Sequence, residues 1–273
     1  MNVMSYTVHH LIDNIIFITD EKQCCIYLVK GTEHALLIDS GMDLDRLKPL
    51  IDTLVDTPYY VACTHGHIDH VGRSGEFDHL YMDKKDINVY KDNRTIGQYN
   101  EYYSTIGLSF IDEDKILDMP EYFDLGDRKI YVVKCPGHTP GSVMFVDSVN
   151  HTVFTGDAIG SGCSIWMQVD YATSIKTYKE SLLQAYYNLL LMGAAYNWYF
   201  LGGHDRQEYM SKVSEYNLLN IHMITDMMTL CDKLLDHTID FRPINTMTFS
   251  TGQPYYASHG KAEMIFTMSQ LED

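Results

Sequence analysis

Three imidazoles and one carboxylate fall within six consecutive residues, His65-Gly66-His67-Ile68-Asp69-His70. Neutral imidazole and carboxylate are the donors that zinc and other borderline divalent ions take, and such a cluster is costly to place anywhere except around a metal. His65 and His67 alternate in a way that aims both rings at one point, so Asp69 and His70 have to serve another. The spacing therefore speaks for two metal positions. Three further His or Asp residues, His138, Asp157 and His204, sit next to glycine on turns that close a strand. Glycine permits the tight backbone that lets a side chain converge on a point, so these three complete a set of five histidines and two aspartates. The other histidines lack that glycine-turn context and read as structural or solvated.

The elements that must position this set are legible from periodicity. Short apolar runs over residues 14–19, 25–29 and 35–39 predict a strand meander, with Lys30-Gly31-Thr32-Glu33 as a hairpin turn. A helix is expected from Asp43, with Leu44, Leu47, Leu50, Ile51 and Leu54 facing the core. It leads into Tyr59-Tyr60-Val61-Ala62-Cys63, a strand that delivers the histidine cluster at its carboxyl end, a common position for sites in layered folds. Strands are expected again at 80–82, 129–133, 143–146, 152–155, 198–201 and 262–267. Residues 83–90 look helical. A helix is expected over 174–192 with Leu182, Leu183, Tyr186, Leu189 and Leu190 inward, and a longer helical pattern runs over 207–235. Two blocks of strands with helices between them predict an α+β fold of two packed sheets covered by helices, one four-layer domain over residues 1–273. The tyrosine-rich stretch within 84–125 has no clear period and reads as a lid or pocket insert, or as ordinary tyrosine packing.

Composition bounds the partners. A chain of 273 residues buries about three quarters of its unfolded surface and needs no staples. With 20 Lys+Arg against 37 Asp+Glu, the net charge of −17 repels phosphate backbones and anionic membranes, so no nucleic-acid or membrane partner is expected. The six cysteines show no C-x-x-C pair and read as reduced, mostly buried residues. No basic n-region opens the chain, and no stretch approaches the roughly 18 apolar residues of a membrane span, which makes the cytoplasm the default location. A small-molecule substrate is the expected partner. A homo-oligomer has one candidate interface, the Met- and Leu-rich 207–235 segment, and nothing else to support it.

Taken together, H-x-H-x-D-H at 65–70, Gly-His-x-x-Gly-Ser at 137–142, Gly-Asp at 156–157 and Gly-His at 203–204 resemble the metallo-β-lactamase superfamily. The resemblance covers nearly the whole chain and implies an αββα sandwich with a dinuclear site. It implies His65, His67 and His138 as ligands of one metal, Asp69, His70 and His204 as ligands of a second, and Asp157 as the bridge. Asp39 matches the family's first motif and would support the histidine loop from behind. Zinc, two ions per chain, is the expected metal, although iron and manganese accept similar ligands.

The departures point to a branch. True β-lactamases of the family tend to carry cysteine or serine where this chain has Asp157, so the chain looks more like the glyoxalase II-like and lactonase-like branches. Acyl homoserine lactonases carry a tyrosine three residues beyond that aspartate, here Gly160. Glyoxalase II continues Gly-His-Glu-Tyr, where this chain has Gly203-His204-Asp205-Arg206.

The expectation is a dinuclear zinc hydrolase acting on a small ester, lactone or thioester through a hydroxide shared by the metals, with Asp69 orienting the nucleophile or passing a proton to the leaving group. The alternative is a mononuclear iron oxygenase resembling the persulfide dioxygenases. β-Lactamase, phosphodiesterase and inactive binding protein rank below these. Replacing His67 or Asp157 by alanine is predicted to abolish both bound metal and turnover. Full metal stoichiometry and activity in purified Asp157→Ala would contradict the ligand set.

Overall fold

The computed structural model describes residues 6–12, 14–20, 24–161, 164–204, 219–246 and 252–271. The chain divides into two compact units, one of Met1–Val132 with Gly203–Asp205 and the other of Val133–Gly202 with Arg206–Asp273.

The first unit is built on a seven-stranded mixed sheet in strict chain order. Strands β1 (Thr7–Ile12), β2 (Ile15–Thr19), β3 (Cys25–Lys30) and β4 (Ala35–Ile38) form the expected antiparallel meander. Helix α1 (Leu47–Leu54) then carries the chain over to β5 (Tyr59–Ala62), parallel to β4. A short helix, α2 (Ile68–Val71), follows the histidine loop, and β6 (Leu80–Met82) adds in parallel. Both β2 and β4 are buried along their whole length, as central strands covered on both faces are, and their Ile and Leu side chains join Leu47, Ile51 and Val71 in one core.

Helix α1 starts at Leu47 and not at Asp43. Pro49 is tolerated only in a helix's first turn, which forbids an earlier start. The carbonyls of Asp43 and Asp45 accept instead from the Arg73 guanidinium and the Tyr6 hydroxyl, and Leu44, expected inward, is 56% exposed.

Residues 84–125 fold into a 3₁₀ turn at Lys84–Asp86, helices α3 (Ile87–Tyr99) and α4 (Glu101–Ile106), and strands β7 (Ile116–Asp118) and β8 (Tyr122–Asp124). β7 closes the edge of the sheet beside β6. β8 forms a hairpin with β9 (Lys129–Lys134), the strand along which the chain passes into the second unit.

In the second unit β10 (Val143–Asp147) and β11 (Thr152–Gly156) pair antiparallel. Beyond β12 (Ile165–Trp166) and helix α5 (Ile175–Leu191), strand β13 (Tyr199–Gly202) returns parallel to β11. Helix α6 (Ile221–Leu235) packs against α5 and against a further sheet made of β12, β14 (Arg242–Pro243), β15 (Pro254–His259) and β16 (Ala262–Thr267). The expected 207–235 helix is thus seen from Ile221; its part over 207–218 lies outside the described residues. Its Met223, Met227 and Leu230 are buried within the unit.

The inward face of α5 is Ile175, Tyr178, Ser181, Leu182, Ala185 and Leu189. Of the expected set, Leu183 and Leu190 are 44% and 42% exposed. Small residues run along the buried stripe, and the Ser181 hydroxyl donates to the Pro136 carbonyl, so a reading by leucines alone lands one position off.

The same contact positions His138. Gly137 lies so close to Tyr178 that a Cβ there would stand 2.1 Å from the ring. Gly137→Ala is predicted to destabilise the protein by about 1–3 kcal/mol, the usual cost of overpacking, read as a lowered urea midpoint with unchanged slope.

Candidate metal centre

Five of the seven expected ligands, His65, His67, Asp69, His70 and His204, belong to the first unit; His138 and Asp157 belong to the second. In the first unit the histidine loop leaves β5 and enters α2 with His67 as the helix's N-cap residue. Two groups from the 84–125 segment clamp its backbone. Asp86 Oδ2 accepts the Gly66 N–H at 2.8 Å, and Asn93 Oδ1 accepts the Ile68 N–H at 3.0 Å. A Cβ on Gly66 would stand 3.1 Å from the Asp86 carbonyl and the Tyr90 nitrogen, a tight contact that the absence of a side chain avoids.

Behind the loop stands Asp39, buried and at φ +63°, a left-handed backbone that Asp tolerates better than most residues. Its Oδ1 accepts the Thr64 N–H at 2.7 Å, and its Oδ2 lies 2.9 Å from both the Thr64 hydroxyl and His70 Nδ1. His70 Nδ1–H therefore donates to the carboxylate, which leaves Nε2 as the lone-pair nitrogen, 3.7 Å from Asp69 Oδ2. The Thr64 hydroxyl, donating to Asp39, accepts from His65 Nδ1 at 3.1 Å and fixes that ring the same way. One carboxylate thus sets two imidazole tautomers.

The ring nitrogens so presented converge. His65 Nε2 and His67 Nδ1 are 3.0 Å apart, and His204 Nε2 lies 3.3 Å from Asp69 Oδ2. His204 arrives by a different route: it forms an isolated antiparallel bridge with Cys24, reinforced by the Cys25 N–H donating to the Gly203 carbonyl at 2.8 Å. The thiol of Cys24 stands with Asp69 and His204, the three donor atoms all within 4.8 Å of one another. Burial and the carboxylates of Asp20 and Asp69 push that thiol well above the usual range.

In the second unit His138 Nε2 is 3.7 Å from Asp157 Oδ2. His138 Nδ1 lies 2.6 Å from the Trp166 carbonyl, so this ring too donates backwards and presents Nε2. Trp166 serves through its main chain, which no side-chain pattern discloses. Met167, the next residue, is fully buried. The turn after Asp157 is held by the Tyr178 hydroxyl on the Ala158 carbonyl at 2.7 Å, and Ser161 Oγ donates to Asp157 Oδ1 at 3.3 Å. Gly160 adopts φ +76°, a conformation that strains any L side chain, so the tyrosine of the lactonases has no ready place here. In each unit, an imidazole that ties back Nδ1 and presents Nε2 near a carboxylate offers donors that a divalent transition metal takes.

The family model of the metallo-beta-lactamase superfamily matches residues 19–204, a span that contains all seven residues. The chain belongs to this superfamily. Among its relatives there, the hydroxyacylglutathione hydrolase GloC of Haemophilus influenzae is 29% identical over 177 residues, 62% of this chain and 83% of that protein. The acyl-coenzyme A thioesterase MBLAC2 of Homo sapiens is 22% identical over 200 residues, 61% and 72% of the two chains. Among solved structures, TTHA1623 in a di-iron-bound form is 26% identical with a TM-score of 0.51, covering 66% of this chain and 87% of that one. The DIM-1 metallo-beta-lactamase, at 13% identity, has a TM-score of 0.59 over 85% of this chain and 99% of its own, which shows the superfamily's fold. The chain is a metal-dependent hydrolase of the superfamily, of the α+β class expected from the strand and helix pattern. No helix among the described residues is long and apolar enough to cross a membrane.

Sequence reasoning missed Cys24, Asp86, Asn93 and the Trp166 carbonyl. Each is remote from the motifs in sequence and carries no local signature. Asp39→Asn, which keeps a residue tolerant of the left-handed backbone but removes the charge that orients Thr64 and His70, is predicted to weaken metal binding about 10- to 100-fold in a chelator-competition titration. Unchanged affinity would contradict its orienting role.

Proposed function

We propose that the protein is a thioesterase whose His65, His67, Asp69, His70, His138, Asp157 and His204 hold two divalent ions, zinc by the softness of the donor set. The supporting observation is the tied-back imidazoles: His65, His70 and His138 each turn Nδ1 toward an oxygen of the protein and hold Nε2 ready as a lone pair. Iron fits the same donors, and the relative TTHA1623 is described in a di-iron form. When bound, the ions would supply an activated water near neutral pH and polarise the thioester carbonyl.

The residues of the chain supply the rest. Asp69 Oδ2 faces the Nε2 atoms of His70 at 3.7 Å and His204 at 3.3 Å and would bind the ion beside them, so proton work falls to its other oxygen, which would take the proton of the attacking water and return it to the departing thiolate. Asp39 and Thr64 keep His70 and His65 in the required tautomers throughout. Hydrolysis breaks the acyl carbon–sulfur bond and yields a carboxylic acid and a thiol.

Two named relatives act on thioesters, one of glutathione and one of coenzyme A. The net charge of −17 favours the less anionic carrier, glutathione or another small thiol, because coenzyme A brings its own phosphates. Buried thiols at Cys24, Cys25, Cys63, Cys135 and Cys231 suit a reducing compartment such as the cytoplasm.

The test is a panel of S-acyl-glutathiones, acyl-coenzyme A esters, oxyesters, lactones, a phosphodiester and a cephalosporin, run on protein of measured metal content. The expected result is a kcat/KM for a glutathione thioester at least about tenfold above that for any lactone or the cephalosporin, a difference of about 1.4 kcal/mol in transition-state stabilisation. Protein holding two ions per chain that turns over no thioester would overturn the proposal.

A further inference from the structure

One donor beside the second metal position belongs to none of the superfamily motifs. Cys24 is buried at 1% exposure, and its Sγ stands within 4.8 Å of ligand atoms of both Asp69 and His204. We propose that Cys24 is itself a ligand, so that the ion held by Asp69 and His204 carries a thiolate. The proposal rests on the metal-centre reading above and adds to it a residue that the motifs do not supply.

The placement of Cys24 is built and not incidental. Its N–H donates to Asp20 Oδ1 at 2.8 Å, while Asp20 Oδ2 accepts the Met42 N–H at 3.2 Å, so one carboxylate ties the Cys24 backbone to that of Met42. The bridge to His204 and the Cys25 bond to Gly203 then lock the two ligands side by side through the backbone. Donors at about 2.0–2.3 Å from a shared zinc stand roughly 3–4 Å from each other. His204 Nε2 and Asp69 Oδ2, at 3.3 Å, already have that separation. Cys25, the next residue along an extended chain, turns to the opposite face and is no member of the group.

The chemistry differs from that of an all-imidazole and carboxylate position. A thiolate selects zinc, cadmium or iron(II) over manganese and magnesium. As the ion binds, the Cys24 S–H bond gives way to a metal–sulfur bond and the proton leaves to solvent. The two positions of the centre would then differ in softness, the second carrying the softest donor of the set.

Cobalt(II) titrated into the metal-free full-length protein tests this directly. The expected spectrum has a near-ultraviolet thiolate-to-cobalt charge-transfer band that is retained in Cys25→Ser and lost in Cys24→Ser, with Cys24→Ala as a second variant should serine disturb the fold. Either Cys24 variant should also hold its weaker cobalt at least about tenfold less tightly. Two cobalt ions bound by the unmodified protein without that band, or a band that survives loss of Cys24, would overturn the role of Cys24 and leave the metal centre standing. A protein that binds no cobalt at all would overturn both. Zinc-edge absorption on the unmodified protein provides an independent measure, because a sulfur neighbour at about 2.3 Å is resolved from nitrogen and oxygen at about 2.0–2.2 Å. A zinc centre with no sulfur neighbour counts against Cys24.

Discussion

The first unit depends on what the Asp39 carboxylate does. It is buried, it sits at the end of a central strand in a left-handed conformation, and it accepts from Thr64 twice and from His70 once. A buried carboxylate is tolerable only when its lone pairs are filled, and here the groups that fill them belong to the histidine loop. Stability and site geometry are therefore the same set of hydrogen bonds. Loop and strand cannot separate without exposing an unsatisfied charge, and the tautomers of two rings follow from the arrangement at no further expense.

Around that carboxylate the rest of the unit acts as a frame. The meander and the parallel strands β4 and β5 bring Asp39 and Thr64 to adjacent strand ends, where the Asp39 N–H donates to the Ala62 carbonyl at 2.8 Å. Asp86 and Asn93 hold the far side of the loop. The second unit repeats the tactic with other means: the main-chain carbonyl of Trp166 orients His138, and Tyr178 and Ser161 hold the turn that carries Asp157. In both units most of the orienting groups come from segments well separated in sequence from the ligands they orient.

That separation explains what could be read in advance. Strands β2 to β6, β9 to β11, β13 and β16 announce themselves because they are apolar and bounded by turns, and the seven candidate ligands because histidine, aspartate and glycine recur together at strand ends. The edge strand β1 is polar, with two histidines, and gives no apolar run. β7 and β8 each end on an aspartate and lack the uninterrupted apolar run of the equally short β6, and β15 opens on a proline. The face of α5 was obscured because its buried seam includes Ser181 and Ala185, whose small size is what lets the helix approach its neighbours. Cys24, Asp86 and Asn93 were illegible for a plainer reason: a hydrogen bond or a ligand contact between distant residues leaves no trace in the spacing of either.

The first unit is discontinuous, for Gly203 and His204 rejoin it only after the chain has traced β9 to β13, and they do so as a strand-like bridge beside Cys24. During synthesis the unit can collapse around its own sheet well before that last piece exists, but its set of candidate ligands stays short of one imidazole until then. Closing so long a loop is entropically slow, and an ion held as proposed would reward only the closed state. Metal supply would then act as a late check on maturation, raising the stability of finished chains by mass action while doing little for truncated ones.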